Sequence, residues 1–374
     1  MNLFFFIVFG LYFLLLLLLI VGWPKVPSLR RKENGFAKIT VVVPFRNEEI
    51  SIGKLIEDLL NLNYPVEQVE VILVNDHSND TSVEKVIDAI SKCPHFRMLS
   101  LPVGKEGKKQ GITYAVEKAV GDIIVTTDAD CRVPADWLSF LSDYFIDGKL
   151  KMVLGGVRIV EDQSLFSQLQ ALEFSSLIGV CGATAVLGFP AICNGANLAF
   201  LKSAFLVVNG YEGNFAIASG DDEFLLRKID RHFPDAVYFL AEPGAVVSTG
   251  PQKTRNDFIH QRLRWAGKWK FSSSPGVKAL SVFVLLFQIS FLLLLTMTLL
   301  QSVNPEIALL LIATKLILEF SFLFRVCQFL RVRWRTLHFL ILQFVYPFYV
   351  IFIGLASNFL SYEWKGRKRG TTTN

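Results

Sequence analysis

The apolar runs constrain this chain most. Asn2 to Val21 is an uncharged stretch rich in Leu and Phe, close to the ~20 residues a helix needs to cross a hydrocarbon core. Three more such runs follow: Val277 to Leu300, Ile307 to Phe324, and Leu337 to Leu360. Each reads as a spanning helix. With 52% hydrophobic residues, 33 Phe and a mean hydropathy of +0.43, the 374-residue chain is too apolar for an ordinary soluble protein. A cleaved signal peptide is the alternative for the first run. It calls for a basic start, a shorter apolar region and a small-residue cleavage site. No charge precedes the run here, and Gly22-Trp23-Pro24-Lys25 follows it, so a retained anchor is expected.

The runs divide the chain into an anchor (1–22), a mixed-polarity segment (23–275), a second membrane region of three helices (276–362) and a basic tail (363–374). The net charge of +5 does not point to nucleic acid, because many basic residues flank apolar runs. Lys25, Arg30, Arg31, Lys32 and Lys38 follow the first; Arg325, Arg331, Arg333 and Arg335 lie near the last two. The positive-inside rule puts both groups in the cytoplasm, with the N-terminus outside and the globular segment inside. Four spans then place the tail outside, although it carries Lys365, Arg367, Lys368 and Arg369. Either a span is miscounted or the tail departs from the rule. The five cysteines form no Cys-x-x-Cys pair and the five histidines no ligand spacing, which argues against structural zinc. Reduced thiols fit a cytoplasmic domain.

In the globular segment, strand-like and helix-like stretches alternate. Lys38 to Pro44, Val69 to Val74, Phe96 to Leu101 and Ile123 to Thr127 are short apolar, β-branched runs that read as buried parallel strands. Helical spacing covers Ile52 to Leu62, a stretch from Val83, and Ile112 to Val120 after a Gly- and Lys-rich loop (Gly104 to Gly111). This alternation predicts an α/β fold with a parallel sheet, whose ligands bind beyond the carboxyl ends of the strands. That edge gathers Asn47, Glu48, Asp76, Lys108, Asp128 and Asp130. On a strand, Asp128 and Asp130 would share a face and could hold a divalent cation together with substrate phosphates.

Leu172 to Cys193 is apolar but broken by Gly179, Gly182, Gly188 and Pro190. A single crossing there would put the Asp pair and everything after it on opposite faces of the membrane. It reads instead as a buried or membrane-apposed element. Cys193 to Phe200 looks like a turn into a strand. Ser219-Gly220-Asp221-Asp222-Glu223 precedes a helical stretch, and its three carboxylates exceed what a helix cap requires. Asn256 to Phe271 contains Gln261, Arg264 and Trp265 on one helix face, followed by Lys268, Trp269 and Lys270. That composition suits an interfacial helix.

Taken in order, Val43-Pro44-Phe45-Arg46-Asn47-Glu48, Asn75-Asp76-His77-Ser78, Gly107-Lys108, Asp128-Ala129-Asp130, Gly195-Ala196-Asn197, Gly220-Asp221-Asp222 and Gln261-x-x-Arg264-Trp265 resemble the membrane-bound family 2 glycosyltransferases. These are inverting enzymes of GT-A fold that include cellulose and hyaluronan synthases and ceramide glucosyltransferases. The resemblance covers about Lys38 to Lys270 and the flanking helices. It implies that Pro44, Asn47, Glu48 and Asp76 line a uridine pocket and that Lys108 approaches the nucleotide phosphates. Asp128 would contact the nucleotide, and Asp130, with Asp128 beside it, would bind Mg²⁺ or Mn²⁺ at the diphosphate. Asp222, paired with Asp221, would be the general base, and Gln261, Arg264 and Trp265 would close over diphosphate and acceptor. His77 stands where Gly is usual, and Arg46 also departs from the pattern; both bear on nucleotide preference.

The chemistry implied is transfer of a sugar from a UDP-sugar to a lipid-type acceptor at the cytoplasmic membrane face, with processive polysaccharide synthesis as the second reading. A membrane nucleotidyltransferase would also use paired Asp residues, but gives no reason for Gln261-x-x-Arg264-Trp265. An inactive scaffold would have no need of Asp130 and Asp222. The later helices offer few polar residues to line a polymer channel, and Lys315 and Glu319 stand four apart, placed to pair with each other.

Overall fold

A computed structural model describes residues 2–23, 36–145, 148–215, 220–268, 274–365 and 367–369. Lys25, Arg30, Arg31, Lys32, Ser219, Trp269, Lys270 and Phe271, which the sequence reading used, lie outside these residues. In chain order the elements begin with α1 (Asn2–Gly22), β1 (Ile39–Phe45), α2 (Ile52–Leu60), β2 (Val69–Asn75), α3 (Ser82–Ile90), β3 (Phe96–Ser100), α4 (Lys108–Lys118) and β4 (Ile123–Thr126). Next come α5 (Trp137–Asp143), β5 (Met152–Gly155), β6 (Val157–Ile159), α6 (Leu165–Val186), β7 (Leu198–Leu201), α7 (Lys202–Val207), α8 (Asp221–His232), β8 (Val237–Leu240) and β9 (Val247–Thr249). The chain closes with α9 (Arg255–Ala266), α10 (Pro275–Leu299), α11 (Pro305–Leu330), α12 (Thr336–Ala356) and the hairpin β10 (Tyr362–Trp364) and β11 (Arg367–Arg369).

Two units form. One comprises residues 24–160 and 180–250, and its core is a seven-stranded sheet of order β3-β2-β1-β4-β7-β5-β8. The first four strands are parallel, as the alternating pattern predicts; β7 runs antiparallel to both β4 and β5. A second small sheet pairs β6 with β9 in parallel. β1, β2 and β4 are apolar on both faces because the sheet is buried on both; Val41, Val42, Val71, Ile72 and Ile124 have no exposed surface.

Three boundaries differ from the sequence expectation. β4 stops at Thr126, paired with Val42, and Cys131 N–H donates to the Asp128 carbonyl at 3.1 Å, closing a turn. Asp128 and Asp130 therefore lie in a turn beyond the strand, not on one strand face. α4 starts at Lys108, inside the expected loop, with Gly107 before it at a φ of 91°. α8 takes Asp221 and Asp222 into its first turn, where the helix dipole favours acids, after Gly220 at a φ of 81°.

The other unit comprises residues 1–23, 161–179 and 251–374. α1 packs Phe5 and Phe9 with Phe287, Phe291, Leu294 and Leu311 of α10 and α11. The Tyr12 ring stacks on Phe287 at 3.6 Å, and its hydroxyl donates to Glu319 at 2.6 Å. Lys315 pairs with Glu319 at 3.0 Å, bonds Gln343 of α12, and sits 4.8 Å from the Phe291 ring. The expected Lys315–Glu319 pair thus forms as part of a buried polar cluster.

Among the described residues, five helices, α1, α6, α10, α11 and α12, have the length and composition to cross a membrane. α6 stands apart: 72% of its apolar window is buried, against 22% for α1 and 28% for each of the last three. β5, earlier in the chain than α6, is hydrogen-bonded to β7, the strand after it, so the chain on both sides of α6 belongs to one sheet.

A buried knot at the start of β1 sets a test. Glu70 accepts from the Thr40 hydroxyl at 2.7 Å and Val120 N–H at 2.9 Å, and pairs with Arg97 at 2.5 Å. Gly121 N–H donates to Thr40 Oγ1 at 2.9 Å, and a Cβ on Gly121 would stand 2.5 Å from the Thr40 backbone nitrogen. Gly121→Ala must displace backbone, so a loss of about 1–3 kcal/mol is expected, read as a lower melting temperature of the detergent-solubilised protein.

Candidate active site

The sheet's carboxyl edge gathers side chains from four sequence-distant segments. Lys108, the first residue of α4, places its Nζ 2.6 Å from Asp128 in the β4 turn and 3.3 Å from Asp221 at the start of α8. Asp222 accepts from Gly195 N–H at 3.2 Å, and the Gly195 carbonyl accepts from Thr126 Oγ1 at 2.8 Å. Gly195 is closely approached: a Cβ there would meet Asp221 Oδ2 and Lys108 Nζ at 3.0 Å each, so those side-chain ends would have to shift. Lys108, Asp128, Gly195, Asp221 and Asp222 therefore form one cluster.

Electrostatics follow from this packing. Burial alone would favour neutral Lys108, but Asp128 and Asp221, with the hydrogen bond to Asp128, outweigh it and hold the pKa well above the ordinary lysine value. Burial and then the charges of Asp221 and Asp222 push the Tyr211 phenol well up. Burial and the charges of Asp130 and Asp128 do the same to the Cys131 thiol. Tyr211 lies at this edge without any sequence signal to announce it.

Asp76, 4% exposed, joins the same edge: its Oδ2 accepts from Gly107 N–H at 3.1 Å, next to Lys108. Arg46 Nη1 donates to the carbonyls of Asp76 at 2.8 Å and His77 at 2.6 Å. Asn47 Oδ1 accepts from Asn79 N–H at 3.0 Å, and Glu48 N–H donates to Ser82 Oγ at 2.7 Å. The β1–α2 and β2–α3 loops are thus tied into one wall. Pro44 stands near the end of β1, half-buried. His77 has a φ of 54°, which explains both why Gly is the usual residue and why His serves: it is among the side chains that enter the left-handed region more readily.

Asn197, fully buried, plays a different part. Its Oδ1 accepts from Trp137 Nε1 at 2.9 Å, and its Nδ2 donates to the carbonyls of Gly156 at 2.8 Å and Ala245 at 2.9 Å. It clamps β7 to neighbouring loops and leaves Gly195 to face the cluster.

Asp130 is solvent-exposed beside Asp128. Among the described residues, no three His, Cys, Asp or Glu side chains are gathered to hold a metal. Two neighbouring carboxylates at an open edge suit a hard cation that completes its shell with phosphate oxygens.

In the other unit, α9 carries Gln261, Arg264 and Trp265. Its unforeseen member is Arg262, 3% exposed, ion-paired with Glu173 of α6 and lying 4.3 Å over the Trp265 ring and 4.6 Å over Phe258. Tyr349 of α12 donates to Glu173 at 3.3 Å. Position within an otherwise amphipathic helix gave no sign of this buried charge.

Comparison with known families decides the class. The profile described as "Glycosyl transferase family 2" matches residues 40–195, and that described as "Glycosyl transferase family group 2" matches residues 123–361, more than half of the chain. The chain is a family 2 glycosyltransferase. Among curated relatives, the poly-beta-1,6-N-acetyl-D-glucosamine synthase of Staphylococcus epidermidis is 24% identical over 261 residues, 67% of this chain and 60% of that one. The undecaprenyl-phosphate 4-deoxy-4-formamido-L-arabinose transferase of Pectobacterium atrosepticum is 33% identical over 147 residues, 39% of this chain and 44% of that one. The glycosyltransferase thus aligns with less than two thirds of either relative. In fold it is similar to the mannosyltransferase PcManGT of Pyrobaculum calidifontis, solved with GDP-Man and Mn²⁺, at a TM-score of 0.56 and 16% identity over 94% of this chain and 95% of that one. That likeness and the mostly parallel sheet establish the GT-A architecture, and the apolar helices have the length and composition that a membrane crossing requires.

Asn197→Ala tests the clamp. It strands Trp137 Nε1 and takes a donor from the buried carbonyls of Ala245 and Gly156, the latter keeping Val247 N–H, so stability should fall by ~1–3 kcal/mol, measured by chemical denaturation.

Proposed function

We propose that this glycosyltransferase moves a sugar from a UDP-sugar to a lipid-type acceptor at the cytoplasmic face of the membrane, with inversion at the anomeric carbon. The convergence of Lys108, Asp128, Asp221 and Asp222 carries the reading. Asp222, oriented by Gly195 N–H, takes the proton of the acceptor hydroxyl. The hydroxyl oxygen then bonds the anomeric carbon as that carbon's bond to the diphosphate oxygen breaks. A positioned base of this kind contributes ~10²–10⁴-fold. Lys108, held protonated, supplies positive charge for the departing diphosphate, and its pairing with Asp221 keeps that charge beside the base. Asp76, Asn47, Glu48 and Pro44 belong to the wall assigned to the nucleotide. Asp130 and Asp128 would hold Mg²⁺ or Mn²⁺, which offsets diphosphate charge when bound. Gln261, Arg264 and Trp265 keep the roles that the family pattern gives them, with Arg264's planar guanidinium suited to phosphate oxygens and Trp265 to a sugar ring.

The Pectobacterium relative's name, a transferase onto undecaprenyl phosphate, supports a lipid acceptor. The Staphylococcus relative's name favours the second reading, processive polymer synthesis. Membranes containing the full chain, incubated with a panel of labelled UDP-sugars, separate the two: lipid-extractable product is expected, whereas polymeric product would establish the second reading. Asp222→Asn should lower transfer by ~10²-fold or more while nucleotide-sugar binding survives. Loss of binding with transfer intact would overturn the assignment. Asp130→Ala should abolish the response of donor affinity to added Mg²⁺ or Mn²⁺, measured by titration calorimetry.

A further inference from the structure

The contacts of α12 set it apart from α10 and α11. Its start is tied to the residues that open α6: Arg333 N–H donates to Glu161 at 3.1 Å. Further along, Tyr349 bonds Glu173 of α6 and packs 5.6 Å from Phe258 of α9. Immediately beyond its end, β10 packs against α9. α6 returns to the side from which it came, because β5 and β7 are paired in one sheet. α9 is bound to α6 by Gln170–Gln252, Phe166–Phe258 and Arg262–Glu173. Chain before and after α12 is therefore attached to elements that lie on one side of the bilayer.

The depth of α12 points the same way. α10 and α11 form an antiparallel hairpin whose register is marked by Lys315 above Phe291. Trp334, just before α12, packs 5.0 Å from Phe320 and 5.4 Å from Phe324, both C-terminal to Lys315 on α11. Near its other end, a Cβ on Gly354 would stand 3.3 Å from Leu285, which is N-terminal to Phe291 on α10. In an antiparallel hairpin those positions are on the same side of the Lys315–Phe291 level. Gln343, between them, bonds Lys315. A crossing helix of 21 residues is about 31 Å long and would end beyond that level. Pro347 lies inside α12, where its missing N–H loosens the backbone.

We infer that α12 does not cross the bilayer: it lies along the leaflet on the side of α9, its outer face covered by the lipids of that one leaflet. That face is apolar at helical spacing, with Leu337, Phe344, Phe348, Phe352 and Leu355 exposed. Its flanks are basic, Arg331, Arg333 and Arg335 before it and Lys365, Arg367, Lys368 and Arg369 after it, as suits an anionic headgroup layer. Residues 300–304, at the opposite end of the α10–α11 hairpin, carry no charge. With α1, α10 and α11 as the crossings, both basic groups fall on one side, and the conflict between the tail and the positive-inside rule disappears.

Cysteine accessibility tests this in the full chain, in a Cys93→Ser, Cys193→Ser background that removes the two partly exposed native thiols. Thr372→Cys, Ser302→Cys and Lys149→Cys place single probes in the tail, in the hairpin loop and on the catalytic unit. Cells are treated with a membrane-impermeant maleimide before and after permeabilisation. Thr372→Cys should label under the same condition as Lys149→Cys, and Ser302→Cys under the opposite one. Labelling of Thr372→Cys that does not follow Lys149→Cys overturns the inference. A protease-cleavable tag after Asn374, with no substitution, gives an independent reading: cleavage in intact cells, while Lys149→Cys stays unlabelled, overturns it equally.

Discussion

Carboxylates brought together at a sheet edge repel unless a cation stands among them. Lys108 is that cation: its ammonium lies within ion-pair distance of Asp128 and Asp221 at once. Its position depends on α4 starting one residue after Gly107, whose N–H is held by buried Asp76. Asp76 is in turn fixed by the loop that Arg46 braces. The acids of α8, the turn after β4 and the wall formed by the β1–α2 and β2–α3 loops are thus joined through one charge. A neutral side chain at position 108 would leave negative groups facing one another across a partly buried space.

The sequence was most informative where one physical rule acts locally. β1, β2 and β4 were legible because buried parallel strands are apolar on both faces, the acids of the β4 turn because they follow such a strand, and those of α8 because three carboxylates exceed local structural need. Boundaries were harder. A strand ends where its partner's ladder ends, so Thr126 closes β4 because of Val42, a fact that no local pattern contains. Tyr211 and Arg262 were invisible for a related reason. Each gains its meaning from residues distant in sequence: Asp221 and Asp222 for the first, Glu173 and Tyr349 for the second. Arg46 and His77 were noticed only as departures from a pattern, and the loop geometry supplies their reasons.

Arg262 also shows how a short motif can be supported by the residue it skips. Its guanidinium lies over the Trp265 ring and pairs with a carboxylate on another helix. Breaking such a buried pair costs several kcal/mol, because one charge is left uncompensated. The orientation of α9 is therefore set by a charge pair as well as by apolar packing, and Trp265 shares in that restraint.

The polar cluster among α1, α11 and α12 bears on how the chain enters a membrane. Lys315 and Glu319 lie one turn apart on the same helix and pair with each other. A lone charge at the centre of an inserting helix is costly, but α11 brings its own counter-ion. It can partition into lipid as a nearly neutral segment before Tyr12 and Gln343 are available to complete the cluster. Insertion and assembly are thereby separable steps, and the later one is rewarded by hydrogen bonds that only a correctly packed bundle can make.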